Sequence, residues 1–454
     1  MKIYYSNLPY KWIPFKCLRT YVLVLLILSL IGPVKYEYDF FYALLMVLYI
    51  IAFLILTWIG MAKGSAYTPP CYGTVREKNK LIFWIKLATI ICLPIKIMLV
   101  VSSIQIMGMP DIGNVFSMLA SVYTEMHHGE TFTNVYRQID TFCTMIFYFS
   151  TFAGVYWRKK LPKRYMCLIA VNVILDLFYN ICFIGTQRSI TTIAVLGLTV
   201  FVREAIRKDL KVDKKKLRKI VIVIILLLIV CLNILSARTT LWNESTSYIY
   251  EKDIFNLSHP LLFWCQSDKL KYDVCELLLY FTQGFYGLSL AFQVPFEWSF
   301  MLGSVRGLNS IISQIFSFVP DMVELTYPLR AGVKFGVDGL ANWYTIFPWL
   351  ASDLSFVGAL IYMAVMAWLF MRCWIQSVEY DNPIAFTLLV LLMIQYAFLI
   401  ANNQLFVQRG ESLATVCLLA LYCVGGGKSQ LLTGQGRVGI FCLPLHICAG
   451  WQHE

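Results

Sequence analysis

The sequence predicts an all-α polytopic membrane protein of about ten transmembrane helices with one large exoplasmic loop. Three observations predict it. Of 454 residues, 59% are apolar and only 14% charged, with a mean hydropathy of +0.67; a soluble chain carries about 25% charge. The apolar residues come in blocks of about 18–22, the length that spans a hydrocarbon core. Between the blocks, basic residues crowd into every second short loop, where lysine and arginine set topology.

The blocks place spans near 20–34, 40–60, 81–103, 139–157, 165–184, 189–203, 220–236, 346–370, 384–401 and 412–426. Lys11, Lys16 and Arg19 precede the first apolar run without a small-residue cleavage site after it, the pattern of a signal anchor with its N-terminus inside. The 61–80 loop holds Lys63, Arg76, Lys78 and Lys80, the 158–164 loop reads Arg-Lys-Lys-Leu-Pro-Lys-Arg, and the 203–219 loop holds nine basic residues. The alternate loops carry single ones, Lys35, Arg137, Arg188 and Arg409. Both termini are therefore expected in the cytoplasm of a bacterial inner membrane protein. The organisation that follows is a seven-span bundle over 1–236, a periplasmic loop over 237–345, three further spans over 346–427 and a cytoplasmic tail over 428–454.

The net charge of +12 does not point to nucleic acid, because the basic residues sit in these topological loops. The 237–345 loop itself carries seven basic residues against ten carboxylates, a net of −3. It is too long for a simple connection. Its 277–301 stretch is rich in aromatic and apolar residues but broken by glycines, Pro295 and Glu297, which fits an interfacial or re-entrant helix better than a span. Most of the fourteen cysteines lie in apolar spans, where cysteine behaves as a small hydrophobe. Cys265 and Cys275 lie in the outer loop, where an oxidising periplasm makes a bridge plausible.

Soluble-enzyme signatures are missing: the sequence has no phosphate-binding Walker loop, no dinucleotide fingerprint after a strand, no Gly-x-Ser-x-Gly elbow and no His-Glu-x-x-His. The five histidines do not have metal-ligand spacing, and neither a metal nor a cofactor is expected. Ionisable groups within the spans are more telling, since they are costly there and tend to be functional. Lys96 stands beside Pro94 in the third span, and Asp176 lies mid-span in the fifth with Asn172, Tyr179 and Asn180 on the same face. A Lys96–Asp176 pair that fixes helix packing is the simplest reading, with a substrate contact as the alternative. The outer rim holds Arg188, Arg238, Arg306, Arg330 and Arg409, each alone in its turn. Arginine stays charged and presents a planar fork suited to phosphate, whereas a single rim arginine also serves as an interfacial anchor.

One segment resembles a known family. Asn342-Trp343-Tyr344-Thr345-Ile346-Phe347-Pro348-Trp349-Leu350-Ala351-Ser352-Asp353-Leu354-Ser355-Phe356-Val357-Gly358 is similar to the Tyr-Thr…Asp-x-Gly-x-x-Gly segment of bacterial oligosaccharide repeat-unit polymerases, the Wzy-type O-antigen polymerases. The Gly185-Thr186-Gln187-Arg188-Ser189 turn and the Tyr280-Phe281-Thr282-Gln283-Gly284-Phe285-Tyr286-Gly287 stretch are similar as well, and the likeness runs over about 140–410 in span order and loop placement. Ser355 departs from it, standing where the family often has glycine. The resemblance implies transfer of a growing glycan from undecaprenyl diphosphate to the non-reducing end of a new lipid-linked repeat unit, at the periplasmic face and without metal. It implies a GT-C-like helix arrangement, and an undecaprenyl-diphosphate-linked oligosaccharide and the lipid bilayer as partners, with a chain-length regulator and a flippase beside them.

Under that implication the arginines would stabilise the diphosphate leaving group, with Arg188 at the reacting centre. Asp353, Glu297 and His259 would compete for the role of base. Tyr280, Trp343 and Tyr344, like Tyr286 and Trp298, suit stacking on sugar faces, and equally suit an interfacial aromatic belt. A flippase or other multi-span transporter and an O-antigen ligase are the alternatives. Paired repeats of the kind common in transporters are missing from the sequence.

Overall fold

The computed structural model describes residues 10–66, 75–110, 135–186, 188–207, 218, 254–316, 318–340 and 342–431. The expected span 220–236, Arg238, the remaining outer-loop residues up to 253 and most of the tail lie outside the described residues. Among the described residues the chain is helical, with one isolated antiparallel bridge, Val34–Phe255.

In chain order the helices are α1 (Ile13–Ile31), α2 (Phe40–Ser65), α3 (Val75–Met107), α4 (Val135–Tyr148), α5 (Lys163–Cys182), α6 (Arg188–Arg207), α7 (Asp268–Ala291), α8 (Arg306–Ile315), α9 (Tyr327–Phe335), α10 (Ile346–Glu379), α11 (Pro383–Ala397), α12 (Gln404–Val407) and α13 (Arg409–Leu431). Local chemistry accounts for several boundaries. Asp39 accepts from the backbone N–H of Phe41 and Tyr42 at the start of α2, Ser267 caps α7, and Asn382 with Pro383 starts α11. Six described helices are long and apolar enough to cross a membrane: Tyr10–Ile31, Phe40–Ser65, Glu77–Met107, Lys163–Cys182, Arg188–Arg207 and Ile346–Glu379, with Pro383–Ala397 a shorter apolar one. The chain is an all-helical, multi-pass membrane protein.

The 277–301 stretch, expected as an interfacial or re-entrant helix, is helical over its first part. Helix starts earlier, at Asp268, and ends at Ala291, and Pro295 then leads a non-helical run to Arg306. Two glycines let α7 pack closely inside the outer layer. A Cβ on Gly284 would lie 1.8 Å from the Ile400 carbonyl oxygen, and one on Gly287 would lie 2.8 Å from the Tyr344 ring. In the membrane layer α2 and α10 pack by the same device, since Gly60 faces the Ala364 carbonyl and Gly64 the Trp368 carbonyl. Phe53, Tyr49 and Phe347 interlock beside that contact.

Helix α10, at 34 residues, is about 51 Å long at 1.5 Å per residue, well beyond a hydrocarbon core of about 30 Å. It is broken at Ser355, with φ 62° and ψ 167°. This is a backbone region that L-residues avoid and glycine tolerates, and it falls where the resembled segment carries glycine. Asp353 thus sits on the short outer arm of the bend, and the arm beyond Ser355 forms the span.

The loops sort into two ends as the charge alternation requires. At one end, Tyr156 and Arg203 both donate to the Ser377 carbonyl (2.7 and 2.9 Å), and Lys160 pairs with Asp381 at 2.6 Å. At the other end, the backbone N–H of Lys35 donates to Ile254 (2.8 Å), that of Asn256 to Pro33 (2.7 Å), and the Asn403 amide to Ser304 (2.9 Å). The second end is called outer below.

Candidate functional site

The expected Lys96–Asp176 pair forms, and it has a second carboxylate. Lys96, only 3% exposed, lies 2.7 Å from both Asp140 of α4 and Asp176 of α5. Ser189, at the start of α6, donates to the other Asp176 oxygen at 2.6 Å. Asn172 reaches across to the Thr89 carbonyl at 3.0 Å. The polar face of α5 is therefore spent on helix packing. Two carboxylates on one lysine give the buried ammonium the partners that make its burial tolerable.

The residue before Ser189 is Arg188, which projects to the other side of the α6 start. Its Nη1 lies 3.2 Å from Glu411 Oε2, and its Nη2 donates to the Gln404 carbonyl at 3.3 Å. The Tyr148 hydroxyl donates to the second Glu411 oxygen at 3.1 Å. Tyr148 immediately precedes a π turn, Phe149–Ala153, which ends the regular run of α4. Glu411 comes within reach because Gly410 lets α13 touch α4, where a Cβ would lie 2.4 Å from Thr144 Oγ1. Arg188 and Glu411 line a small pocket together with polar residues, Tyr148, Thr192 and Gln404, and apolar ones, Leu391, Ile394 and Phe398. Two helix N-termini, those of α6 and α13, open on it and bias it towards negative charge.

Two more of the rim arginines gather around the same 402–411 turn. Arg409 donates from Nε to Ser310 (2.9 Å) and from Nη1 to Gln314 (2.8 Å) of α8. Gly307 of α8 lies against the Gln408 carbonyl, and Arg306 places its guanidinium 5.3 Å from the Trp349 ring centre. Arg330 does not join them: it pairs with Glu297 at 2.7 Å in the layer formed by 296–335. Arg188 and Arg409 thus flank the 402–411 turn, with the start of α8 packed against it.

The three expected bases are placed differently from one another. Asp353 is 5% exposed and fully engaged, accepting from the Ser299 hydroxyl, from the Gly303 N–H at 3.4 Å and from the Ser304 N–H at 2.7 Å. Its neighbour Ser352 accepts from the Tyr327 N–H at 2.9 Å. This is the geometry of an anchor for the 296–305 segment, with no acceptor capacity aimed at a substrate. Glu297 is held by Arg330. His259 accepts from the Leu261 N–H through Nδ1 and places Nε2 3.0 Å from the Ile31 carbonyl, tying the 254–267 strap to the end of α1.

Of the expected sugar-stacking aromatics, Trp343 and Tyr280 lie together with ring centres 3.8 Å apart, both half-buried. Tyr344 is completely buried with its hydroxyl on the Val337 carbonyl, so it presents no face to a ligand. Tyr286 stacks on Tyr36 at 5.2 Å, and Trp298 is exposed beside Phe300. No disulfide joins Cys265 and Cys275. Both are free thiols in one small buried cluster with Leu262, and burial, with Cys265 adding to it, pushes the Cys275 thiol up to about 11. Among the described residues no group of three or more His, Cys, Asp or Glu is arranged to hold a metal ion.

Sequence reading passed over Glu411, Tyr148 and Asp140. Glu411 follows Arg409 by two residues at the start of an apolar span, and Asp140 stands alone in another. Those isolated carboxylates were the available signal. No protein-family model matches the chain, and no curated protein or solved structure does either.

Proposed function

We propose that this protein is a glycosyltransferase that polymerises undecaprenyl-diphosphate-linked oligosaccharide repeat units into O-antigen or capsular polysaccharide at the periplasmic face of the inner membrane, using about ten spans. One observation carries the reading: Arg188 lines a pocket that also holds the apolar side chains of Leu391, Ile394 and Phe398. A lipid diphosphate has that duality, an anionic head on an apolar chain. In the reaction, the acceptor hydroxyl oxygen attacks the anomeric carbon of the donor glycan. The bond from that carbon to the diphosphate oxygen breaks, and its electron pair leaves with undecaprenyl diphosphate. The arginines stabilise the charge that develops there. Glu411, which the diphosphate frees from Arg188, takes the proton in place of Asp353. A chain-length regulator and a flippase act beside it.

Deletion of the gene followed by electrophoresis of the lipopolysaccharide tests this. The polymerase reading expects core bearing a single repeat unit, and bare core would refute it. The buried Lys96–Asp140–Asp176 cluster favours a second reading, a lipid-linked oligosaccharide flippase or another transporter, because charge inside a membrane commonly marks a translocation path. An O-antigen ligase shares the outer-face chemistry. Bare core is the outcome that flippase or ligase function predicts.

A further inference from the structure

We propose that the Arg188 pocket is an anion site whose resident occupant is the Glu411 carboxylate, and that a phosphate or diphosphate group binds there by displacing it. The inference rests on reading the pocket as a phosphate site, and it names how that site is filled and emptied.

Glu411 is held loosely for a buried partner. Its contact with Arg188 is monodentate at 3.2 Å, and the Tyr148 bond to its other oxygen is 3.1 Å. Arg203–Asp381 is as long at 3.2 Å, but the other buried cations are held more tightly: Lys96 reaches each of its carboxylates at 2.7 Å, and Arg330 reaches Glu297 at 2.7 Å. Charge-assisted bonds ordinarily fall at about 2.7–2.9 Å, and arginine is at its strongest when bidentate. The guanidinium of Arg188 gives one nitrogen to Glu411 and the other two to neutral oxygens, the Gln404 backbone carbonyl and side-chain amide, so only one of its nitrogens faces a charge.

The pocket beside this pair has space for about one water, near 10 Å³. A phosphate group does not fit next to Glu411, so it must take its place. The exchange is of like for like, because the helix starts of α6 and α13 favour an anion of either origin. A dianionic tetrahedral group offers Arg188 two oxygens at once, which a carboxylate already shared with Tyr148 does not. Leu391, Ile394 and Phe398, which also line the pocket, select, among such anions, one that carries an apolar chain.

The test uses the purified full-length protein in lipid nanodiscs, titrated calorimetrically with inorganic pyrophosphate and, separately, with farnesyl diphosphate. Glu411→Gln keeps the shape and removes the competing charge, so it should bind pyrophosphate at least tenfold more tightly than the wild type. Tyr148→Phe, which frees one Glu411 oxygen, should tighten binding about threefold. Arg188→Lys should weaken it about tenfold or more. A carboxylate that only braces the fold would give the opposite result, with affinity unchanged or lowered in Glu411→Gln. That outcome overturns the proposal, as does pyrophosphate binding that ignores Arg188→Lys, or no binding in any variant. Farnesyl diphosphate binding more tightly than pyrophosphate assigns the site to a lipid-borne anion, and equal affinities assign it to a free one. Exchange intact in a protein that makes no polymer would refute the polymerase reading and leave the anion site standing.

Discussion

Asp353→Asn swaps one carboxylate oxygen for an amide nitrogen and leaves the volume unchanged, so its effect isolates the hydrogen bonds. Three donors converge on the native side chain: the Ser299 hydroxyl and the Gly303 N–H on one oxygen, and the Ser304 N–H on the other. If asparagine keeps its oxygen on Ser304, its NH2 group faces the other two donors. The serine hydroxyl can turn and accept, but the Gly303 N–H is left buried and unpaired. Hydrogen bonds to a charged group contribute about 1.5–3 kcal/mol, and an orphaned buried donor costs about 1–3 kcal/mol. The retained Ser304 bond also weakens as its acceptor becomes neutral. A net loss of about 2–4 kcal/mol follows, confined to the 296–305 segment. At about 1.4 kcal/mol per decade this raises the population with the segment open by roughly 30- to 1,000-fold. Hydrogen-exchange mass spectrometry on the purified protein reads it directly. Peptides over 296–305 should lose protection in Asp353→Asn, while peptides over 356–379 keep it. Unchanged protection at 296–305 would refute the anchoring argument. If polymer were lost at the same time, Asp353 would return to the mechanism as a catalytic group.

Arg188→Lys should lose roughly 3–4 kcal/mol of transition-state stabilisation, a few hundredfold in transfer rate, because lysine is a point charge without the fork; Arg188→Ala should lose essentially all transfer. Polysaccharide ladders from a complemented deletion strain check both, and full activity in the lysine variant would reduce Arg188 to an anchor. Ser355→Gly relieves a positive φ at the α10 bend and should stabilise the protein by about 1 kcal/mol, seen as a raised Tm in detergent. A lowered Tm would mean that the bend depends on the serine side chain, whose hydroxyl faces the Gly358 N–H at 3.4 Å. Gly60→Leu drives a side chain into the Ala364 carbonyl and should cost about 1–3 kcal/mol or displace α2 from α10, again read by Tm. Reporter fusions after Lys80, Lys160 and Lys216 should report cytoplasm, and fusions at Ser258 and Val333 periplasm. A cytoplasmic signal from either of the last two would reverse the orientation.

The sequence by itself determined the membrane class, the places of the described spans and the alternation of their loops. Each of these follows from a local quantity, a stretch of apolar residues long enough to cross a bilayer or a cluster of lysines too costly to carry across. It also disclosed that Lys96 and Asp176 needed each other, because a charge inside a span has few ways to be satisfied. Only the tertiary structure decided what the outer arginines and carboxylates do. Arg188 meets the backbone of a residue 216 positions away, and Tyr148 meets Glu411 across 263, contacts that no local spacing encodes. The same folding that brings Arg188 to Glu411 and Arg409 to α8 gives Arg330 to Glu297 and saturates Asp353 with the donors of a returning loop. At a membrane rim every arginine and every carboxylate looks alike in the sequence, since water and headgroups would satisfy each of them equally. Which one pairs, which one anchors and which one stands open to an anion depends on where close helix contacts, such as that at Gly410, bring distant turns together.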